Sequence, residues 1–441
     1  MHLDQALAAA AEFAAPERLD QFRRHIPAEW IEEALSWAGT TTVRRRRLPA
    51  EQVLWLVIAM GLFRDEPIER IVDKLELALP DKKRTLIAKS AITQARHRLT
   101  EDPLAYLFTT TASEWAARSA EQDRWRGLNL FGLDGTTLRV PDSPENRAAF
   151  GGQHAGGGRG ESGYPQVRVV AMMAVRSHLL STFAFADYHT GETTLARDVW
   201  QQVPEDSLVL VDRGFLVKKD LVGLEFSGNR HWLTRSKVNT KWSVVEKLGK
   251  DDYLVEWDVS GTDLPSNWQI RAIHYKRKGH DRTTLLTSLI DAEKYPAKEL
   301  IELYHERWET ELVYDEVKTH LLDRQEAIRS RTPAGVRQEL WGIALAYNLV
   351  RLEMERVAAE AGVPPTRISF TGALRLIRAS ISWMGGERFA YGTVPKRLGT
   401  LRANMKRLLL PPRRRERSYP RAVKVKMSNY PRKRPTTTSA K

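Results

Sequence analysis

Apolar positions follow a helical period over the first quarter of the chain and a strand period through its middle. Residues ~15–120 read as helices; in PAEQVLWLVIAMGLFRDEPIERIVDKLEL the helical spacing holds until a break at Asp65–Pro67. Within DKKRTLIAKSAITQARHRLTEDP, Ser90 can cap a short helix to Leu99 that carries Thr93, Gln94, Arg96 and Arg98. Such a helix suits a DNA major groove, with Gln and Arg facing bases, and equally suits the surface of an ordinary bundle.

From residue 126 the period changes. GLNLFGLDGTTLRV (127–140) predicts an apolar strand that ends on Asp134 and turns through Gly135. QVRVVAMMAV (166–175) and STFAFADY (181–188) predict two further strands in a meander. TTLARDVWQQVP (193–204) predicts a helix, and SLVLVDRGF (207–215) a fourth strand ending on Asp212. Between 226 and 283, HWLTRS, KWSVVEKL, DYLVEWDV and NWQIRAIHYKRK predict a separate β-rich element ahead of a helix at 297–322. Residues 333–410 return to a helical period, with Trp341, Leu345, Leu349 and Leu352 forming a stripe for core or dimer contacts.

Composition narrows the class. A chain of 441 residues with 42% hydrophobic content and 13 Trp supports several packed domains. Cysteine is absent, which excludes disulfides and thiolate metal sites and points to a reducing compartment. The apolar run at 53–63 is too short to span a bilayer, and the first residues lack a basic secretion-signal start. The expectation is a soluble, cytoplasmic protein with no membrane partner. Its net charge of +14 is uneven: residues 411–441 hold eleven Lys or Arg against one Glu. That tail, with Arg413, Arg414 and Arg415 in its RRR run, fits phosphate contacts, as does RRRR at 44–47; the plainer role is a solubilising tail. The glycine-rich stretch 151–165 lacks a P-loop ending and reads as a mobile loop, with His154 or Arg159 as optional DNA contacts.

Asp134 and Asp212 share a context, since each ends a Val/Leu/Phe-rich strand and is followed within two residues by a glycine. Side by side they would repel, and a divalent cation with a taste for hard oxygen ligands, Mg²⁺ or Mn²⁺, would relieve them. Asp142 reads as a turn former in VPDSPEN. Asp187 is expected at the opposite end of the sheet from Asp134.

A third carboxylate comes from YHERWETELVYDEVK (304–318). On an ideal helix Tyr304, Arg307, Glu311 and Lys318 fall within one sector about 60° wide. Ile301, Trp308 and Leu312 on one side, and Leu303 and Leu321 on the other, turn this sector inward. Glu302, Glu306, Glu309 and Glu316 are then expected to face water, while Val313 and Val317 fit neither side. An inward Glu must be paired or hold a metal, and Arg307 and Lys318 become phosphate contacts.

The Y-x2-R-x3-E-x6-K spacing of Tyr304, Arg307, Glu311 and Lys318 resembles the signature of the insertion-sequence-four family of DDE transposases. GLDGTTLRVPDSPENRAAFG and LVDRGF resemble the segments around that family's two catalytic Asp residues, and RSYPRAVKVKMSNYPRKR its basic end. The resemblance implies an α/β chain with a ribonuclease-H-like mixed-sheet core, a β-rich insertion, an N-terminal helical domain and a C-terminal helical region. Its expected boundaries are 1–122 (helical, DNA-binding), 123–225 (core), 226–283 (insertion), 284–330 (core with the Glu helix), 331–410 (helical) and 411–441 (basic tail). It implies a triad of Asp134, Asp212 and Glu311 holding two Mg²⁺ ions, with Mn²⁺ as substitute, and DNA contacts from Tyr304, Arg307 and Lys318. It also implies a homodimer on DNA in a bacterial, nucleoid-associated setting that cuts its element's terminal repeats and joins them to a target. In some members the cut passes through a hairpin, with a Trp holding a flipped base; Trp232, Trp242, Trp257 and Trp268 are the candidates here. A two-metal nuclease without strand transfer and an inert DNA-binding repressor are the alternatives.

Overall fold

The computed structural model describes residues 19, 22, 24–41, 48–78, 87–153, 163–225, 228–257, 268–277, 281–323, 328–383 and 393–411. His154, Arg159, the cluster 44–47 and the tail with Arg413, Arg414 and Arg415 lie outside the described residues.

Among the described residues nine strands form one mixed sheet in the order β3-β2-β1-β4-β5-β9-β8-β7-β6. They are β1 (Asn129–Arg139), β2 (Gln166–Ala174), β3 (Leu180–Asp187), β4 (Ser207–Val211), β5 (Arg230–Arg235), β6 (Trp242–Gly249), β7 (Asp252–Trp257), β8 (Trp268–Tyr275) and β9 (Thr283–Thr287). β1, β2 and β3 pair antiparallel, and β4 joins β1 and β5 in parallel. This is the ribonuclease-H-like arrangement. β4 is buried on both faces: Leu208 and Leu210 belong to one hydrophobic cluster, Val209 and Val211 to the other. That explains why its sequence reads as an unbroken apolar run.

Two expectations about the sheet change. HWLTRS, assigned to the insertion, is β5, and it extends the parallel ladder beside β4. The remaining insertion strands build no sheet of their own, because β9 pairs with β5 and carries β8, β7 and β6 outward from it. Nor does β1 end at Asp134. It runs on to Arg139 along β2, while its pairing with β4 stops at Leu133–Val211 because β4 is short.

Helices cover both faces. The N-terminal group comprises α1 (Ala28–Trp37), α2 (Ala50–Leu62), α3 (Ile68–Lys74), α4 (Lys89–Leu99) and α5 (Asp102–Gln122). Next come α6 (Pro144–Phe150), α7 (Glu192–Trp200), α8 (Lys218–Glu225), α9 (Ala297–Tyr304) and α10 (Trp308–Asp315). Among the described residues, α11 (Pro333–Ala361), α12 (Phe370–Trp383) and α13 (Thr393–Met405) follow. α11 is capped by Thr332 and stopped by left-handed Gly362. A Cβ on Gly342 would meet Val57 at 2.7 Å, so this glycine allows α11 to lie directly on α2. Trp341 packs with Phe108, Phe183 and Phe185 in the core. Arg96, considered for base reading, points instead into this helical layer, donating to Gln338 at 2.8 Å, Ser330 at 3.1 Å and the Gly335 carbonyl at 3.2 Å. Thr93, Gln94 and Arg98 on the same helix remain exposed. Among the described residues no helix is long and apolar enough to cross a membrane.

Candidate active site

Asp134 and Asp212 each follow a member of the register pair Leu133–Val211, the last pair of the β1–β4 ladder. Parallel neighbours stand about 4.8 Å apart. Both acids therefore emerge side by side where the ladder opens, at the carboxyl end of β4, the position where ligands gather in such sheets. Side chains alternate along β1, so Gly132 and Asp134 face the same side, and Gly135 faces the other.

On the side of Gly132 and Asp134 lies the segment that carries Glu311. α9 passes through a 3-10 turn (His305–Arg307) into α10 and then a π-helical turn (Glu316–Leu321). The segment sits very close to β1: a Cβ on Gly132 would meet Thr310 Cγ2 at 2.3 Å. Buried Thr310 places Oγ1 3.3 Å from Asp134 Oδ2 and donates to the Arg307 carbonyl at 2.8 Å. Tyr314 Oη donates to the Asp134 carbonyl at 2.6 Å, and the Gly135 N–H donates to Asp134 Oδ1 at 2.8 Å. Burial pushes the Asp134 carboxyl up to about 6, against the pull of Gly135 N–H, Arg307 and Thr310.

Arg307 lies among the acids. Its guanidinium donates to Glu311 at 3.0 Å, and both Asp212 and Glu311 favour its charged form. Glu311 is thus turned toward Arg307, and among the described residues no three His, Asp or Glu side chains are gathered closely enough to hold an ion together. The donor set nonetheless fits a hard divalent cation: three carboxylates on adjoining elements, of which half-buried Asp134 is raised by desolvation in spite of Arg307. Tyr304, expected among the DNA contacts, is 4% exposed, and its Oη donates to the Val211 carbonyl at 3.4 Å. It packs the segment onto β4 next to Asp212. Lys318 is partly exposed on the π-helical turn, near Thr136 and Leu138 of β1.

The rival acids have other occupations. Asp142 accepts from Arg147 at 2.6 Å. Asp187 accepts from Thr190 Oγ1 at 2.6 Å and from the His189 N–H at 2.9 Å, the pattern of a turn former. The expectation that it lies at the opposite end of the sheet fails. β3 runs in the same direction as β1, and Val167 pairs with both Leu138 and Asp187. Asp187 is level with Leu138, four residues beyond Asp134 in the direction of β1 and two strands away.

The glutamates expected to face water divide. Glu302 is exposed. Glu306 pairs with Arg176 at 2.9 Å, Glu309 with His178 at 2.8 Å, and Glu316 with Arg351 and with Tyr347 Oη at 2.7 Å. Val313 is buried and Val317 packs on the core, whereas Trp308 (47%) and Leu312 (38%) are exposed. Trp232, Trp257 and Trp268 are buried together, and Glu225 accepts from the indoles of Trp232 and Trp268. None of those three is presented to solvent; Trp242 is half-buried.

Nothing in the spacing of the sequence marks Thr310, Tyr314 or the partners of the glutamates. The one local signal was glycine on both sides of Asp134, which marks close approach to a strand: by Thr310 at Gly132 and by Glu192 at Gly135.

Residues 16–109 match the family described as Insertion element 4 transposase N-terminal, and residues 125–349 match Transposase DDE domain. The chain is 36% identical over 445 residues to Transposase InsG for insertion sequence element IS4 of Escherichia coli (strain K12), covering 98% of each chain. It is 37% identical over 233 residues to Putative transposase InsZ of the same organism, 52% of this chain and 76% of that one. The cryo-EM structure of a piggyBac transposase synaptic complex with hairpin DNA aligns over 90% of this chain and 86% of that chain, with a TM-score of 0.42 and 12% identity.

Proposed function

Because the chain belongs to the insertion element 4 family of DDE transposases, enzymes that cut and transfer DNA, we propose that Asp134, Asp212 and Glu311 are its catalytic triad. On this reading it binds the terminal inverted repeats of its element, hydrolyses the DNA there and joins the 3′-hydroxyl ends to target DNA. One juxtaposition supports this most. Asp134 within β1 and Asp212 just past the end of β4 stand side by side on neighbouring parallel strands, and the segment bearing Glu311 is seated on Asp134 through Thr310.

Asp134 would hold two Mg²⁺ ions jointly, with Asp212 and Glu311 taking one each; Mn²⁺ would substitute. Bound there, such ions supply an acidified nucleophile and neutralise charge on the five-coordinate phosphate. Glu311 must leave Arg307 to take its part, and Arg307 so released would grip phosphate together with Lys318. Tyr304 keeps the segment on β4. No side chain becomes covalently attached, so water in the cutting step and a DNA 3′-hydroxyl in the joining step can attack from the same place. Residues 1–122 and the basic tail, with Arg413, Arg414 and Arg415, would supply end recognition. A dimer formed on DNA would cut each end in the partner's grip.

The discriminating experiment supplies precut element ends, target DNA and Mg²⁺. Joined product is expected from the wild-type chain, and hairpin species can be scored on uncut ends in parallel gels. A plain nuclease gives no joined product, and an inert repressor neither cuts nor joins.

A further inference from the structure

The segment that presents Glu311 is not one smooth helix, because a 3-10 turn precedes α10 and a π-helical turn follows it. Its rotation must therefore be fixed by what packs behind it. The reverse side is gripped through carboxylates. Glu309 is held by His178 Nε2 at 2.8 Å, and Glu316, seven residues on at the start of the π-helical turn, by Arg351. The His178 side chain is 2% exposed. It sits in the tight connection between β2 and β3 at φ 66°, in the left-handed region that non-glycine residues seldom occupy. Arg351, from α11, also donates to His178 Nδ1. A guanidinium has no acceptor, so Nδ1 accepts and the ring proton belongs on Nε2, where it is donated to Glu309. His178 thus joins three elements: the β2–β3 connection, α11 and the Glu311 segment.

Resting on the DDE assignment, we propose that His178 is a positioning residue for the reaction. Oriented by Arg351, it holds Glu309 and so sets the angle at which Glu311, two residues on, meets Asp134 and Asp212. It touches neither substrate nor metal itself. Outer partners of this kind carry large effects because a site tolerates little misplacement of a ligand.

The test uses the full chain and an element-end duplex, with single-turnover cleavage in Mg²⁺, affinity for the same duplex and thermal unfolding measured on each preparation. His178→Asn keeps a residue that tolerates the left-handed backbone but is too short for Glu309. Glu309→Ala removes the partner on a helix, where alanine is well tolerated, and so carries the test even where His178→Asn fails to fold. Each should lower the cleavage rate about 10–100-fold with duplex affinity unchanged. Glu309→Gln, whose amide oxygen still accepts from Nε2, should restore most of the rate. The double variant should be no slower than the slower single one, because both remove the same contact. Folded variants that cut at the wild-type rate, rates that fall only in step with duplex affinity or melting temperature, or losses that multiply in the double variant would overturn the proposal. A wild-type chain that cuts, beside a Glu311→Gln chain that does not and a His178→Asn chain that cuts normally, sinks the positioning role alone. A wild-type chain that never cuts sinks the DDE assignment and this role with it.

Discussion

Arg307 donates to the Glu311 carboxylate at 3.0 Å across one helical turn, so without DNA these two residues are committed to each other. Removing Arg307 should release Glu311 to a cation. Titrated with Mn²⁺ in the absence of DNA, Arg307→Ala should bind about twofold more tightly than wild type, matching an i,i+4 pair worth about 0.3–0.5 kcal/mol. The same variant should cut DNA poorly. Equal or weaker Mn²⁺ binding would show that the pair does not restrain Glu311.

Asp134 gives a pH signature. Burial raises its carboxyl from 3.8 to about 6, so between about pH 4 and 6 the folded chain binds a proton that the unfolded chain lacks. Metal-free stability should therefore increase as pH falls through 6 toward 4, and the full cost of the buried carboxylate is present at pH 7. Asp134→Asn should stabilise the metal-free chain at pH 7 by roughly 2 kcal/mol and erase that part of the pH dependence, as read by urea unfolding at pH 5 and 7. Cation binding competes with the same proton, so wild-type Mn²⁺ affinity should drop below pH 6.

Gly132 is required by the nearness of the Glu311 segment. Gly132→Ala drives a methyl into Thr310 Cγ2 and should cost about 1–3 kcal/mol by overpacking, with loss of cleavage. Thr310→Ser removes that methyl and keeps the hydroxyl. Combined with Gly132→Ala it should recover stability and part of the cutting. A Gly132→Ala chain with wild-type unfolding and cleavage would contradict the close approach.

Glu316 tests the reverse side. Burial pushes its carboxyl up, but the Arg351 charge and the Tyr347 hydroxyl outweigh burial and hold it well below the ordinary carboxylate range. Its stabilisation is therefore present above the ordinary carboxylate range near 4.5 and is lost as pH falls below that range. Glu316→Gln leaves the Arg351 guanidinium buried without its counter-charge, and chemical denaturation should show about 3–5 kcal/mol lost at pH 7. A loss below about 1 kcal/mol would place the pair in solvent.

Strand periods and the Tyr304–Lys318 spacing carried much of this architecture, because each depends on a local repeat. What they could not carry was partnership. Glu309 and Glu316 look like solvated charges on a helical wheel, since their partners His178 and Arg351 come from distant parts of the chain. The wheel itself drifts across the 3-10 and π turns, which is why Val313 is buried while Trp308 and Leu312 are exposed. β5 was grouped with the insertion because alternation reveals a strand but not its neighbour. In sequence Gly135 reads as a turn that ends a strand at Asp134, whereas in the fold it marks the approach of Glu192 to a strand that continues.

The most direct test of the triad is metal-dependent nicking of an element-end duplex by wild type and by Glu311→Gln, with binding of the same duplex measured alongside. The account predicts nicking by wild type in Mg²⁺ or Mn²⁺, none by Glu311→Gln, and near-equal binding by both, since affinity comes mainly from Lys and Arg contacts to phosphate. A wild-type chain that binds the ends but never nicks them, or a Glu311→Gln chain that nicks as well as wild type, would contradict it.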